Sequence, residues 1–237
     1  MPLSHDQAKS APYFHSCEYL PGRSEALLRP AFELRYQVYC LECEFLDAEA
    51  YPEQFETDEY DSTAAHFCSY NQGEELVGYV RLIISSRTKP LPVLERCPAL
   101  GQSMPPLDIG AEISRLMVRE DYRRRRGDSL SGANLDDGIA YDVDRRNKSP
   151  GILLSLYRQM YQYSLNANIR YWFAAMEPSL ARVLSRMSFG FRQIGPTTDY
   201  YGPVAPYVAD LRDLEKEVHR RDPGLLEWMR SPTKIGL

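Results

Sequence analysis

The stretch Gly110-Ala111-Glu112-Ile113-Ser114-Arg115-Leu116-Met117-Val118 holds the strand on which the fold prediction depends, because residues 111–118 are apolar except at three positions. A charge in such a run is expensive to bury unless it is paired or directed at a polar ligand. Residues three apart on a regular strand point to opposite faces. Glu112 and Arg115 therefore either have separate roles on the two faces or are brought to one face by a bulge. A glutamate here can act as a general base beside a substrate amine, or simply pair with a buried arginine.

Helical and strand patterns alternate on both sides of this strand. Apolar residues at helical spacing predict helices at 24–41, 150–166 and 178–187, and β-branched and aromatic runs predict strands at 63–70, 76–85, 169–175, 189–194 and 206–211. The first two of these strands are predicted to form a hairpin, with Gly73 free to take a positive φ in the turn. The mixed order predicts a single α/β (α+β) domain around an open sheet.

The ends of the chain and one internal segment are expected to lie outside the folded core. Residues 1–23 are punctuated by proline and predict an arm, so the domain is placed at 24–211. Residues 119–149 are strongly polar and predict a mobile insertion within it. Residues 212–237 are charged and predict a helical tail.

Composition narrows the class of protein. The chain has 237 residues, 43% of them hydrophobic, and a net charge of −5, so the whole molecule is not built electrostatically to bind nucleic acid. It contains no run of about 18 apolar residues, and no signal-peptide pattern opens it, so no integral membrane segment is expected. Its five scattered cysteines favour a cytoplasmic protein with free thiols.

An acidic loop and two isolated arginines form a second group of charges. Glu56, Asp58 and Asp61 fall within six residues, while Arg35 and Arg81 interrupt apolar elements. These residues can form a closed charge network, a solvated loop, or a pocket whose carboxylates and arginines bind a zwitterionic ligand. A metal site is disfavoured because the spacing fits no calcium loop and no histidine accompanies it.

Cys40-Leu41-Glu42-Cys43 is formally a C-x-x-C motif. It has no second cysteine pair and no histidine pair to complete a zinc site, and it falls near a predicted helix end. The motif therefore predicts two packing cysteines rather than a redox or metal centre.

The ordered charges also resemble a known family. The motifs are Arg35 followed by Tyr39 and Phe45, then Glu56-x-Asp58-x-Tyr60-Asp61, then Arg81 in Gly-x-x-Arg-Leu, and Glu112-Ile-Ser-Arg115. Together, over residues 24–118, they resemble the signature of the acyl-homoserine lactone synthases and the related N-acyl amino acid synthases. The resemblance implies a fold like the GCN5-related N-acyltransferases: a mixed central sheet flanked by helices, with a V-shaped cleft between splayed strands.

The resemblance also implies roles for individual residues. Glu112 would be the catalytic base. The acceptor pocket would be formed by Arg35, Phe45 (where the synthases usually carry tryptophan), Glu56, Asp58, Asp61, Arg81, Ser114 and Arg115. The phosphopantetheine or carrier site would include Val118, Arg123, Arg124, Arg125 and Arg126, and these arginines would either meet an acidic carrier protein or stay a solvated run.

The function implied is N-acyl transfer to the amine of an amino-acid-like acceptor. The co-substrate would be an acyl-phosphopantetheine thioester, with acyl carrier protein preferred over CoA as the carrier, and neither a tightly bound cofactor nor a metal is expected. The long polar insertion and the aromatic C-terminal part look closer to the acyltransferases of PEP-CTERM/exosortase systems. The alternatives are a homoserine lactone synthase that uses S-adenosylmethionine, an acetyl-CoA-dependent enzyme (disfavoured by the interrupted phosphate loop), and a non-catalytic acyl- or carrier-binding module.

Overall fold

A mixed sheet is the frame of the molecule. The computed structural model describes residues 14–19, 25–71, 73–86, 89–97, 104–122 and 148–231, with the backbone alone at 14–19, 25 and 148–150. Over these residues eight strands pair in the order β1-β2-β3-β4-β5-β8-β6, and β7 also pairs with β8. The strands are β1 Phe14–Tyr19, β2 Ala64–Asn71, β3 Leu76–Ile84, β4 Gly110–Val118, β5 Tyr171–Met176, β6 Arg192–Gln193, β7 Thr198–Asp199 and β8 Pro203–Asp210.

Helices pack against this sheet and follow its last long strand. They are α1 Glu25–Tyr36, α2 Pro92–Arg96, α3 Lys148–Asn166, α4 Pro178–Arg186, α5 Leu211–Arg221 and α6 Pro223–Arg230. A π-helical turn, Gln37–Glu42, continues α1. Prolines begin α4 and α6 at a position where a helix needs no backbone N–H, and Asp210 caps α5 by accepting from the backbone N–H of Arg212.

The two faces of the sheet are covered by different helices. On one face α3 buries Ile152, Leu153, Leu156 and Met160. On the other face Leu34 of α1 is part of a smaller cluster, with Ala31, Val38, Cys68, Tyr79 and Met117. Apolar residues recur at helical spacing on both helices, as the sequence predicted, although Leu27 and Leu41 of the first pattern are exposed.

The junction of β4 with β5 is what creates a cleft. β4 is antiparallel to β3 along its length, but it runs parallel to β5 over only three pairs, from Gly110 with Tyr171 to Glu112 with Phe173. Beyond Glu112 the two strands are no longer paired with each other. The predicted open sheet with splayed strands is confirmed.

Three local predictions differ from the structure. The hairpin forms, but Glu74 rather than Gly73 takes the positive φ, because the Asn71 side chain accepts from the backbone N–H groups of Gly73 and Glu75 and shapes the turn. The strand predicted at 189–194 is only the two-residue β6. Within the predicted arm, Phe14–Tyr19 pairs with β2 as an edge strand.

No helix of the described residues is both long enough and apolar enough to cross a membrane. Residues 123–147, which include most of the predicted insertion, lie outside the described residues.

Candidate active site

The diverging strands enclose a cavity. β4 contributes Glu112–Leu116 to one wall, and the end of β5 contributes Ala174–Met176 to the other, followed by Glu177. The cavity holds about 860 Å³ of empty space, its open mouth included. Because β5 has left β4 at this point, the edge of β4 that faces β5 borders the cavity instead of a paired strand.

A bulge in β4 decides which side chains meet there. Arg81 pairs with Ser114 and Tyr79 with Met117, so β4 carries one residue more than β3 between these two pairs. Arg115 lies in this bulge with a φ of 54°, a conformation that non-glycine residues rarely adopt. The result is that Glu112 and Arg115, which a regular strand would send to opposite faces, both line the cavity.

Behind the cavity, three arginines and three carboxylates form a buried network. Arg81 donates from Nη1 and Nη2 to the two carboxylate oxygens of Asp58, at 2.6 Å each. Arg115 makes a similar two-point contact with Glu56, at 2.9 and 3.1 Å. Such two-point contacts are the strongest geometry for a guanidinium and a carboxylate.

Arg35 and Asp61 join these two pairs into one cluster, which we call the charge network. Arg35 donates to Glu56 at 2.5 Å and to Asp61 at 2.6 Å, and Asp61 also accepts from Arg81 at 2.6 Å. With three positive and three negative groups, the network is balanced in formal charge. The balance explains how Arg35 and Glu56 can both be fully buried.

Opposed electrostatic effects act on the network carboxylates. Burial by itself would raise the pKa of Glu56, but the guanidiniums of Arg35 and Arg115 outweigh it and lower the pKa to about 2. Burial also opposes ionisation of Asp58, yet contact with Arg81 lowers the pKa of that carboxyl. Both groups are therefore ionised at neutral pH.

A buried histidine extends the network through a tyrosine. His66 Nε2 lies 3.0 Å from the carbonyl oxygen of Asp61, which can only accept, so this nitrogen carries the proton. His66 Nδ1 then accepts from the Tyr79 hydroxyl at 2.8 Å. Burial lowers the pKa of His66, which keeps this neutral tautomer in place.

Glu112 has a different environment from the network carboxylates. Its Oε2 accepts a hydrogen bond from the backbone N–H of Val93 at 2.8 Å, and among the described residues it forms no ion pair within 4 Å. Burial raises the pKa of Glu112 to about 8, although the Val93 N–H and the more distant Arg81 and Arg115 act in the opposite direction. A carboxyl with such a pKa can accept or release a proton near neutral pH.

The residues predicted for the site thus fall into three groups. Glu112, Phe45, Ser114 and Arg115 line the cavity. The network behind it contains Arg35, Glu56, Asp58, Asp61 and Arg81, with Arg81 also 3.3 Å from the Ser114 hydroxyl. Val118 is buried and paired with Gly78, and Arg123–Arg126 lie outside the described residues.

An aromatic wall completes the cavity, and its tyrosines are not among the residues that the sequence predicted for the site. Tyr200 and Tyr201 come from the turn between β7 and β8, where Tyr201 stacks on Phe45 with ring centroids 6.2 Å apart. Arg115 lies over the ring of Tyr39, with its guanidinium carbon 4.8 Å from the ring centroid. Consecutive tyrosines before Gly202-Pro203 were the available signal, but nothing in their spacing shows that this turn reaches the loop of Phe45.

The remaining residues that line the cavity are mostly apolar. They include Tyr157 of α3, Met176 of β5, Leu180 of α4 and Val204 of β8, with Glu177 at the start of α4. These side chains come from four separate elements, so sequence reasoning had no way to group them. An apolar lining of this kind suits a hydrocarbon chain.

The structure shows the partners of the acidic-loop carboxylates and the position of the C-x-x-C motif. The acidic-loop carboxylates contact arginines, and the described residues include no group of three or more His, Cys, Asp or Glu that could hold a metal ion. Cys40 lies in the π-helical turn and Cys43 directly after it, and neither forms a disulfide bond with a described residue.

Comparison with known proteins identifies the type of domain. Residues 34–132 match the family model of the acetyltransferase (GNAT) domain. The chain carries a GNAT domain and is an acyltransferase. No match was found among curated protein sequences.

Several solved structures share the fold of this chain. A CoA-dependent acyl-homoserine lactone synthase, BjaI, solved with SAM and isopentyl-CoA, is 20% identical over 89% of both chains, with a TM-score of 0.62. The AHL synthase LasI is 18% identical over 83% of this chain and 90% of its own, with a TM-score of 0.56. FeeM, an N-acyl amino acid synthase from uncultured soil microbes, is 16% identical over 87% and 96%, with a TM-score of 0.51. At these identities the likeness shows a shared fold.

Proposed function

We propose that this acyltransferase moves a fatty acyl group from an acyl-phosphopantetheine thioester to the amine of an amino-acid-like acceptor. The observation that carries the proposal is the cavity between β4 and β5, where Glu112, with its pKa raised to about 8 by burial, meets an apolar channel. The apolar end receives the acyl chain, and the end near Glu112 receives the amine.

The reaction needs one proton acceptor and one site for developing negative charge. The amine nitrogen attacks the thioester carbonyl, the C–N bond forms, and the C–S bond breaks to release the thiol. Glu112 takes the proton from the amine, directly or through a water molecule. A backbone N–H on the β4 edge that faces the cavity stabilises the oxyanion.

The acceptor is held by the residues between Glu112 and the aromatic wall. Arg115 offers a guanidinium to a carboxylate, and Ser114 offers a hydroxyl. Phe45 and Tyr201, which stack on each other, supply apolar contact. Arg35, Glu56, Asp58, Asp61 and Arg81 act on the acceptor through Arg115 and Ser114, because the network fixes the position of both side chains.

Acyl carrier protein is the proposed donor carrier, and Arg123–Arg126 would contact its acidic face. The proposed setting is a PEP-CTERM/exosortase system. Both suggestions depend on the sequence resemblance.

A homoserine lactone synthase that uses S-adenosylmethionine is the second candidate. It is favoured by the shared fold with BjaI, whose structure contains SAM and isopentyl-CoA. Both candidates attach an acyl group to an amine, so the acceptor distinguishes them.

The test is a donor–acceptor matrix with the purified protein. Acyl carrier protein and CoA thioesters of several chain lengths are each incubated with free amino acids or with S-adenosylmethionine, and products are measured by mass spectrometry. We expect an N-acyl amino acid, and about a 100-fold loss of turnover in Glu112→Gln with acceptor binding retained. An acyl-homoserine lactone would establish the second candidate, and the absence of any N-acyl product would favour a binding module. Full activity in Glu112→Gln would exclude Glu112 as the base.

A further inference from the structure

We propose that the short helix α2 positions the Glu112 carboxylate, and that it does so through the backbone N–H of Val93. This N–H holds Oε2 of the carboxylate, while Oε1 forms no hydrogen bond with any described residue and is free to meet the acceptor amine. The catalytic consequence rests on the proposed function. The contact itself can be tested without turnover.

The geometry of α2 explains why Val93 is the donor. The first N–H groups of a helix have no acceptor inside the helix. Pro92 occupies the first position of α2 and has no N–H, so Val93 offers the first free one. Glu112 takes this hydrogen bond at 2.8 Å, which fixes one side of its carboxylate.

Two sets of contacts hold α2 in place. Leu91, Val93 and Cys97 are buried in one cluster with Phe173, which is paired with Glu112 across β4 and β5. The helix is also tied to the acidic loop, because the Tyr60 hydroxyl donates to Glu95 at 3.1 Å.

The same loop residue joins α2 to the charge network. The backbone N–H of Tyr60 donates to Asp58 Oδ1 at 2.9 Å, and Asp58 binds Arg81. The network and Glu112 therefore share a support: the loop that carries Asp58 also positions the helix that holds Glu112.

Several charged or titratable groups act on Glu112 or are acted on by it. From β3 and β4 they are Arg81 and Arg115, from the acidic loop Asp58 and Tyr60, from the end of α2 Cys97, and from the aromatic turn Tyr200. The two arginines and the Val93 N–H favour the ionised form, whereas burial and Asp58 oppose it. Removing the Val93 N–H removes one of the few groups that favour ionisation, so the pKa of Glu112 rises.

The test compares Val93→Pro with Val93→Ala. Proline keeps most of the valine volume and is tolerated in the first turn of a helix, but it removes the N–H. Alanine keeps the N–H and removes the packing. We expect the acid limb of kcat/KM in Val93→Pro to move up by about one pH unit, so that its rate at pH 7 falls about tenfold relative to its rate at high pH. In Val93→Ala we expect the pH midpoint of kcat/KM to equal that of the unmodified protein, even where the rate itself differs.

An unchanged midpoint in Val93→Pro would overturn the proposal. A second measurement covers a variant that fails to fold and a protein that shows no turnover. The amide proton resonance of Val93 in the unmodified protein is followed by NMR from pH 5 to pH 10. If the chemical shift of this amide proton changes with pH around a midpoint near 8, and does not do so in Glu112→Gln, the contact is supported. A chemical shift that stays constant with pH excludes the contact. This readout stands apart from the donor–acceptor assay, so the proposed function and the positioning role can fail separately.

Discussion

Two glutamates in the same site are driven to opposite ionisation states by their partners. Glu56 is fully buried against Arg35 and Arg115, and its pKa is lowered to about 2. Glu112 is also buried, but its closest partner is a neutral N–H, and its pKa is raised to about 8. Residue type therefore does not determine which of the two carboxyl groups is ionised at neutral pH. The immediate neighbours do.

The raised pKa of Glu112 predicts a specific dependence of stability on pH. Between about 4.5, its value in an unfolded chain, and about 8, the folded protein binds a proton that the unfolded chain does not. Stability is therefore lost as pH rises through this window. Glu112→Gln has no such proton to bind. Between pH 5 and pH 9 its free energy of unfolding should therefore fall by about 2–4 kcal/mol less than that of the unmodified protein.

Urea unfolding at the two pH values measures this difference. Glu59→Gln is the matched control, because Glu59 is exposed and its removal should leave the difference between pH 5 and pH 9 unchanged. Parallel pH profiles for Glu112→Gln and the unmodified protein would show that Glu112 is ionised at neutral pH.

At the scale of elements, the site depends on one strand that is irregular in two ways. β4 bulges at Arg115, and it leaves β5 after Glu112. The bulge brings Glu112, the proposed base, and Arg115 to the same cavity, and the divergence makes the space between the strands. A straight, fully paired β4 would supply neither.

The position of β3 and β4 relative to α3 depends on a close approach at Gly78. A Cβ added there would lie 2.5 Å from Ile152 Cγ2, so helix and sheet cannot keep their spacing if this residue has a side chain. We expect Gly78→Ala to destabilise the fold by about 1–3 kcal/mol in chemical denaturation. Gly190→Ala is the control, since an added Cβ there meets nothing within 4 Å. Equal stability of the two variants would contradict the close packing of α3 on β3.

At the scale of the whole molecule, the charge network joins segments that are distant in the chain. It connects α1 through Arg35, the acidic loop through Glu56, Asp58 and Asp61, and the adjacent strands β3 and β4 through Arg81 and Arg115. Removing one partner of a buried ion pair leaves the others uncompensated, which typically costs about 3–5 kcal/mol.

This arrangement predicts acid sensitivity of the fold. The folded pKa of Glu56 is depressed from 4.5 to about 2, so its contribution is present above pH 4.5 and is lost as pH falls toward 2. We expect Glu56→Gln to be about 3–5 kcal/mol less stable at pH 7 and to lose less stability than the unmodified protein between pH 4.5 and pH 2. Calorimetry from pH 7 down to pH 2 measures both effects, with Glu59→Gln as the exposed control. A Glu56→Gln protein that matches the unmodified one at pH 7 would show that the network contributes little.

The sequence by itself determined the type and order of most elements and the set of charges that matter. Apolar periodicity located α1, α3 and α4, and the isolated charges marked both Glu112 and the members of the network. These features are local, since a charge within an apolar run is visible without knowing what surrounds it. Two regions differ from the prediction: the Asn71 side chain shapes the turn at Gly73, and the strand predicted at 189–194 is only two residues long.

Only the tertiary structure decided what each charge does. It paired Arg35, Arg81 and Arg115 with the three loop carboxylates, and it left Glu112 against the Val93 N–H at the edge of an apolar cavity. It also brought Tyr200 and Tyr201 to Phe45 across some 150 positions of the chain. Ionisation and ligand contact depend on distances between elements, which folding sets and which a single sequence does not encode in any local pattern.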